Sequence, residues 1–161
     1  MPLAIETERL SLRLRGIDDA AWYVELMGER DGGTTLTISD AERHLAEQIP
    51  QAGAAGFGFL TIERRAEGDA IGYCGLLIGR TTFDEPEIAY ELLRRVHGNG
   101  YATEAAGAVL DAAFATGRRR IWATVRAWNT ASLRVLEKLG FQRDHSVTDE
   151  RGEVVYLARD A

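Results

Sequence analysis

Between residues 87 and 114 the sequence changes character twice, and that change limits what the chain can fold into. Glu87 to Leu93 alternates with the period of a strand: Ile88, Tyr90 and Leu92 on one side, Glu87, Ala89 and Glu91 on the other. The run is then broken by two glycines, Gly98 and Gly100, and from Tyr101 to Phe114 it becomes alanine-rich and proline-free, as a helix requires. A strand that enters a helix through glycines leaves the first helical N–H groups without partners at the positive end of the helix dipole, where a phosphate is favoured. With no Cβ at Gly98 and Gly100, the backbone can approach an anion and take positive φ. A turn that only reverses the chain is the plainer alternative. The segment lacks the Gly-Lys-Ser/Thr of a P-loop and the third glycine of a dinucleotide fingerprint.

Elsewhere the pattern is of short strands and short helices. Leu10, Leu12 and Leu14 alternate with polar residues, as in a half-buried strand. Asp18 or Asp19 caps a helix expected to run to about Met27, with a break at Asp31-Gly32-Gly33. Ser39 and Glu42 have capping-box spacing and open a second helix, expected to end before Pro50. Residues 57–63 and 70–78 read as strands joined by a turn at 67–69, and residues 120–125 as another. A helix follows over 129–139, with Leu133, Leu136 and Leu139 on one face and Gly140 as its stop. Residues 141–147 and 153–157 form a closing hairpin. Hairpins combined with helices that cross between strands imply a mixed sheet with helices packed on it. No repeat, low-complexity tract or linker divides residues 1–161, which are expected to form one domain.

Composition removes whole classes of function. A net charge of −6 argues against the broad basic face of a nucleic-acid binder. The single cysteine, Cys74, excludes a disulfide framework and a multi-cysteine zinc site, and reads as a buried small residue. Three histidines without His-Glu-x-x-His spacing give no support for a metal site. The first eight residues are too acidic and polar for a signal peptide, and no stretch approaches the ~20 apolar residues of a membrane span. A cytoplasmic protein without membrane or nucleic-acid partners is expected. One lysine, Lys138, stands against eighteen arginines, which reads as codon bias in a GC-rich bacterial genome.

A second segment, Asn129-Thr-Ala-Ser132 followed by Glu137-Lys138-Leu-Gly140-Phe141, settles the comparison. Together with the glycine loop it resembles the GNAT superfamily of N-acetyltransferases, in which Gln/Arg-x-x-Gly-x-Gly/Ala binds the acetyl-CoA pyrophosphate and Asn-x-x-Ser/Ala leads to Glu-Lys-x-Gly-Phe. Within it the chain looks most like the RimJ/RimL-type branch. That branch opens with Thr-Glu-Arg-Leu-x-Leu-Arg, here Thr7 to Arg13, and writes its loop Trp-Gly-Lys-Gly-Tyr-Ala-Thr-Glu-Ala, here His97 to Ala105. His97 and Asn99 replace the usual Trp and Lys, which costs the loop a cation. Arg94, Arg95 or the Arg118–Arg120 run are candidates to restore it, although the run also reads as a solvated helix end.

The resemblance implies an α+β fold with a central, twisted, mostly antiparallel mixed sheet of six to seven strands flanked by about four helices. It implies direct transfer of an acetyl group from acetyl-CoA to a primary amine in a ternary complex, with no metal. Leu92, Leu93, His97, Gly98, Asn99, Gly100, Tyr101, Ala102, Thr103 and Asn129 are the expected acetyl-CoA contacts: loop amides on the pyrophosphate, strand and Asn129 on the pantetheine arm. Glu87 stands where a GNAT base often sits, with Glu91 on the same strand face as the second candidate. Both also read as ordinary ion-paired or solvated carboxylates. Many GNATs place a tyrosine acid where this chain has Leu136, so Ser132 is the expected donor to the leaving thiolate, with Tyr156 a further candidate. The branch favours the α-amine of a protein N-terminus, ribosomal proteins included, as acceptor. The alternatives are a small amine, amino acid or antibiotic, or an acyl-CoA-binding sensor without turnover. Dimers are common in the family, and no residue here marks one.

Overall fold

The computed structural model describes residues 1–30, 33 and 35–161. In chain order the elements are β1 (Ala4–Glu6), β2 (Leu10–Leu14), α1 (Ala20–Glu29), α2 (Ile38–Ala55), β3 (Phe59–Arg64), β4 (Ala70–Leu77), β5 (Glu87–Leu92), α3 (Tyr101–Ala115), β6 (Arg120–Arg126), α4 (Thr130–Lys138), β7 (Gln142–Asp149) and β8 (Gly152–Asp160). Among the described residues the strands form one eight-stranded sheet in the order β1-β2-β3-β4-β5-β6-β8-β7. Every neighbouring pair is antiparallel except β5 and β6, which are parallel and share the single register pair Glu87↔Trp122. This is the mixed, mostly antiparallel α+β sheet with four helices that the motifs imply. The added strand is β1, whose three residues are too few to show a period and which is held by pairing with β2.

The two faces of the sheet carry different helices. The alanines of α3 (Ala105, Ala106, Ala113), with Val109 and Leu110, bring that helix against Leu12, Ile62, Ile71, Cys74 and Leu92 in the larger core. Gly107 on α3 faces Leu139, which follows α4. On the other face Leu26, Met27, Ala41, Leu45 and Leu93 bury α1 and α2 in a second cluster. Burying a leucine-sized side chain contributes about 1.5–3 kcal/mol, so each helix is fixed by a handful of contacts. Asp19, only 2% exposed, pins the start of α1. Its carboxylate accepts from both Arg13 Nη atoms (3.0 and 2.8 Å), Gly16 N (2.7 Å), Trp22 Nε1 (2.7 Å) and Thr61 Oγ1 (3.0 Å).

Three helix boundaries differ from the sequence reading. The N-cap of α2 is Thr37, whose hydroxyl accepts from Asp40 N at 3.1 Å while the Asp40 carboxylate accepts from Thr37 N at 3.3 Å. The spacing at Ser39 and Glu42 has the same form, but both residues lie inside the helix, which already begins at Ile38. The helix also continues through Pro50 to a left-handed Gly56 at φ 73°. Pro50 and Ala46 are both exposed, so the Ala46 carbonyl deprived of its helical donor faces water. Helix α1 runs two residues beyond Met27, and Asp31 and Gly32 of the expected break lie outside the described residues. No helix among the described residues is long and apolar enough to cross a membrane.

Candidate active site

The site begins where β5 and β6 separate. The parallel pairing holds at Glu87↔Trp122, supported by Trp122 N donating to Pro86 O at 3.0 Å, and extends no further. On its other side β5 stays paired with β4 to the end. Leu93 N donates to Ile71 O at 2.8 Å, so by the alternation of an antiparallel ladder the polar backbone groups of Leu92 turn to the open side. Gly72 permits this close pairing, because a Cβ there would lie 2.1 Å from Glu91 O. A cavity of about 420 Å³ occupies the gap. Tyr90, Glu91 and Leu92 line it from β5, and the glycine loop and first turn of α3 form one end. Asn129, Ser132 and Val135 line it from the α4 side, with Leu26 and Glu29 of α1 on the opposite face.

Gly98 and Gly100 take φ of 79° and 78°, left-handed conformations that require glycine at little cost. Gly100 is the N-cap of α3 and has no side chain to cap with, so the N–H groups of Tyr101, Ala102 and Thr103 face outward without a side-chain acceptor. All three residues line the cavity, as do His97, Gly98 and Gly100. The His97 ring contacts Leu92 O through Nε2 at 2.7 Å; a carbonyl only accepts, so Nε2 carries the proton and the ring ties loop to strand. The side chain of Asn99 turns inward, donating to Val96 O (2.9 Å) and His97 O (3.2 Å), and does not line the cavity. Leu93 does not line it either, being fully buried in the second core.

The structure also explains why the motif at Thr7 to Arg13 accompanies a loop some ninety residues later. The Glu104 carboxylate, in the first turn of α3, accepts from Thr7 Oγ1 (2.7 Å), Arg9 N (2.9 Å) and Arg9 Nε (2.7 Å). Arg9 Nη1 donates to Asn99 O at 2.9 Å, and its guanidinium lies over the Tyr101 ring at 4.4 Å. The start of β2 therefore clamps both ends of the loop. Among the cations the sequence offered for the loop, Arg94 lines the cavity, and Lys138, which the sequence reading did not offer for this role, lines it too. Arg95 pairs with Asp69 at 2.7 Å, Arg120 pairs with Asp160 at 2.6 Å, and Arg118 lies over Phe57 and Phe83. Lys138, the chain's single lysine, stands closer to the site than the Arg118–Arg120 run.

The two candidate bases differ in surroundings. Glu91 lines the cavity but is engaged by Arg30 Nε at 2.9 Å and by the Tyr73 hydroxyl at 3.2 Å. Glu87 is buried at the point where β5 and β6 part. It accepts from Arg80 N (3.2 Å) and Thr124 Oγ1 (3.3 Å) beneath Gly79, and burial lifts its pKa above the ordinary carboxylate range. Opposite them, Asn129 Oδ1 caps α4 by accepting from Ser132 N at 3.2 Å, which leaves the amide NH₂ for the cavity. Ser132 Oγ lies 3.1 Å from the Tyr90 hydroxyl, whose pKa is pushed up to about 12 by burial. The sequence reading placed Tyr90 only on a strand face. Its position beside the Asn129–Ser132 turn depends on packing between elements more than forty residues apart. Tyr156 lies on β8, away from this cavity, and Cys74 is fully buried with its thiol pKa raised by burial.

Residues 9–142 match the profile of the acetyltransferase (GNAT) domain family. The uncharacterized protein YkkB of Bacillus subtilis (strain 168) is 30% identical over 148 residues, covering 88% of this chain and 86% of its own. An uncharacterized N-acetyltransferase, p20 of Bacillus licheniformis, is 28% identical over 89% of this chain and 84% of its own length. An acetyltransferase structure from Agrobacterium tumefaciens str. C58 superimposes with a TM-score of 0.82 at 26% identity, covering 100% of this chain and 95% of that one. Profile, relatives and fold converge with the strand–loop–helix cavity: the chain belongs to the GNAT acetyltransferase family.

Proposed function

We propose that residues 1–161 act as one catalytic unit that moves the acetyl group of acetyl-CoA directly to the α-amine of an acceptor bound at the same time. The carrying observation is the gap between β5 and β6. It joins unpaired amides at the start of α3, the free backbone N–H of Leu92 and a fixed serine hydroxyl in one cavity. Acetyl-CoA, when bound, supplies an acetyl thioester and a pyrophosphate. The amides of Gly98 to Thr103 suit the pyrophosphate, and Lys138 and Arg94 compensate for the cation absent at Asn99. The Leu92 N–H suits the thioester oxygen, and Asn129 the pantetheine arm.

Proton balance favours an α-amine. At pH 7.4 an α-amine of pKa ~7.8 is roughly 30% neutral, whereas a lysine amine of pKa ~10.4 is roughly 0.1% neutral. Glu87, with its raised pKa, takes the amine's proton directly or through Thr124 or water, and Glu91 holds Arg30 at the cavity wall. The carbon–nitrogen bond forms as the carbon–sulfur bond breaks, and sulfur keeps the bonding pair. Ser132 donates a hydrogen bond to that sulfur. Tyr90 is too weak an acid to surrender its proton to a thiolate, whose conjugate acid has a pKa nearer ~8.5. It therefore orients Ser132.

Acetyl-CoA at about 100 times its dissociation constant should stabilise the protein by about 2.7 kcal/mol, read as a rise in Tm. CoA release with amine acceptors should show an acidic limb in kcat/KM above the ordinary carboxylate range, lost in Glu87→Gln. No shift in Tm refutes the donor assignment. An unchanged limb in the variant refutes Glu87 as base, and binding without turnover of any amine favours a sensor.

A further inference from the structure

A second cavity, of about 440 Å³, lies beside Glu87 on the side of the sheet that carries α1 and α2. Trp122 and Thr124 alternate along β6 with the core residues Ile121, Ala123 and Val125, so they point to this side and are only half-buried. The walls are aromatic: His145 stacks on Tyr156 with centroids 4.4 Å apart, and Trp122 meets His145 edge-on at 6.1 Å. Glu85 is occupied by the Trp122 indole N–H at 2.8 Å, and Asp144 by His145 at 2.6 Å. Arg80 is different. Its guanidinium donates to the Thr124 hydroxyl at 3.2 Å, and among the described residues it has no carboxylate at ion-pair distance.

The Thr124 hydroxyl receives from Arg80, so its own proton goes to Glu87 Oε1, 3.3 Å away. One hydroxyl thus separates a guanidinium without an anion from the carboxylate assigned as base. A molecule matching that arrangement carries an amine and an anionic carboxylate on the same carbon. A protein N-terminus has a neutral amide where the carboxylate would be and leaves the guanidinium unpaired. The stacked rings add a flat apolar wall for a planar side chain.

We propose that the acceptor is a free α-amino acid with an aromatic side chain, its carboxylate on Arg80 and its ring against Trp122, His145 and Tyr156. This rests on the acetyl-transfer reading, and it narrows the α-amine to that of a small zwitterion.

The test compares CoA release with L-phenylalanine and L-tryptophan, their primary amides, and a peptide beginning with the same residue, in wild type, Arg80→Ala and Arg80→Lys. Wild type should prefer the free acid over the amide by on the order of tenfold or more in kcat/KM, mainly through KM, as expected for a charge-assisted recognition bond. Arg80→Ala should bring that ratio to about one, and Arg80→Lys should restore part of it. Equal or better use of amide and peptide by wild type overturns the proposal while acetyl transfer stands, as does an Arg80→Ala ratio equal to that of wild type. No acetylation of any amine overturns the transfer reading and this proposal together.

Discussion

Replacing Glu104 by Gln tests whether the start of β2 holds the glycine loop. The substitution keeps shape and volume but removes the charge that accepts from Thr7 and twice from Arg9. Hydrogen bonds to a charged group contribute about 1.5–3 kcal/mol each when well shielded. Here the carboxylate is 18% exposed and Arg9 42% exposed. Solvent screening discounts the ion pair to at most about 1 kcal/mol, and Gln retains one acceptor. A net loss of about 2 kcal/mol remains, which for a chain of this size is a fall in Tm of roughly 4–8 °C. Arg9→Ala should cost less in the Glu104→Gln background than in wild type, because the two share a contact. The pH dependence has a definite sign. Burial would raise the Glu104 pKa, but the bonds from Thr7 and Arg9 outweigh it and leave it lowered. Its contribution is therefore full above the unfolded pKa of about 4.3 and lost as pH falls through the lower folded value. Calorimetric Tm of wild type and Glu104→Gln should differ at pH 7 and converge in acid. A difference under about 1 °C at pH 7, or strict additivity with Arg9→Ala, would refute the clamp.

Two further perturbations bear on the site and its scaffold. Tyr90→Phe should lower kcat about 3- to 10-fold through loss of one hydrogen bond to Ser132, with little added loss in a Ser132→Ala background; full kcat in single-turnover measurements would remove Tyr90 from the mechanism. Asp19→Asn, at a buried carboxylate with five donor contacts, should destabilise by about 3 kcal/mol or more in urea unfolding while folded enzyme keeps its KM. Burial raises the Asp19 pKa, but its bonds to Arg13, Gly16 and Trp22 leave it lowered. The wild-type advantage should therefore hold above pH 4 and shrink as pH falls further, and a gap that widens in acid would contradict this.

Most elements were legible because they depend on local periods. Strand alternation, the alanine run of α3 and the glycine stop at Gly140 each fit within a short window, and their boundaries agree to within a few residues. The start of α2 was not legible, since Thr37 with Asp40 and Ser39 with Glu42 offer the same capping spacing and nothing in the local pattern separates them. Pro50 misled for a related reason. Its cost depends on whether the freed carbonyl is buried, and exposure is a property of the folded surface. The site divides along the same line. The glycine loop and the Asn129–Ser132 turn are contiguous in sequence and visible there. Lys138 at the cavity, Tyr90 against Ser132, and Arg9 across the loop come from segments tens of residues apart.

By itself the sequence determined a strand passing through glycines into an uncapped helix, whose first backbone N–H groups have no local partner. The tertiary structure decided what faces that junction. Strands β5 and β6 share one register pair, Glu87↔Trp122, and then part, and only that divergence brings Leu92, Ser132 and the loop into one cavity, while Glu87 stays outside its lining at the point of separation. Distances between segments arise from packing, which no local pattern of residues encodes.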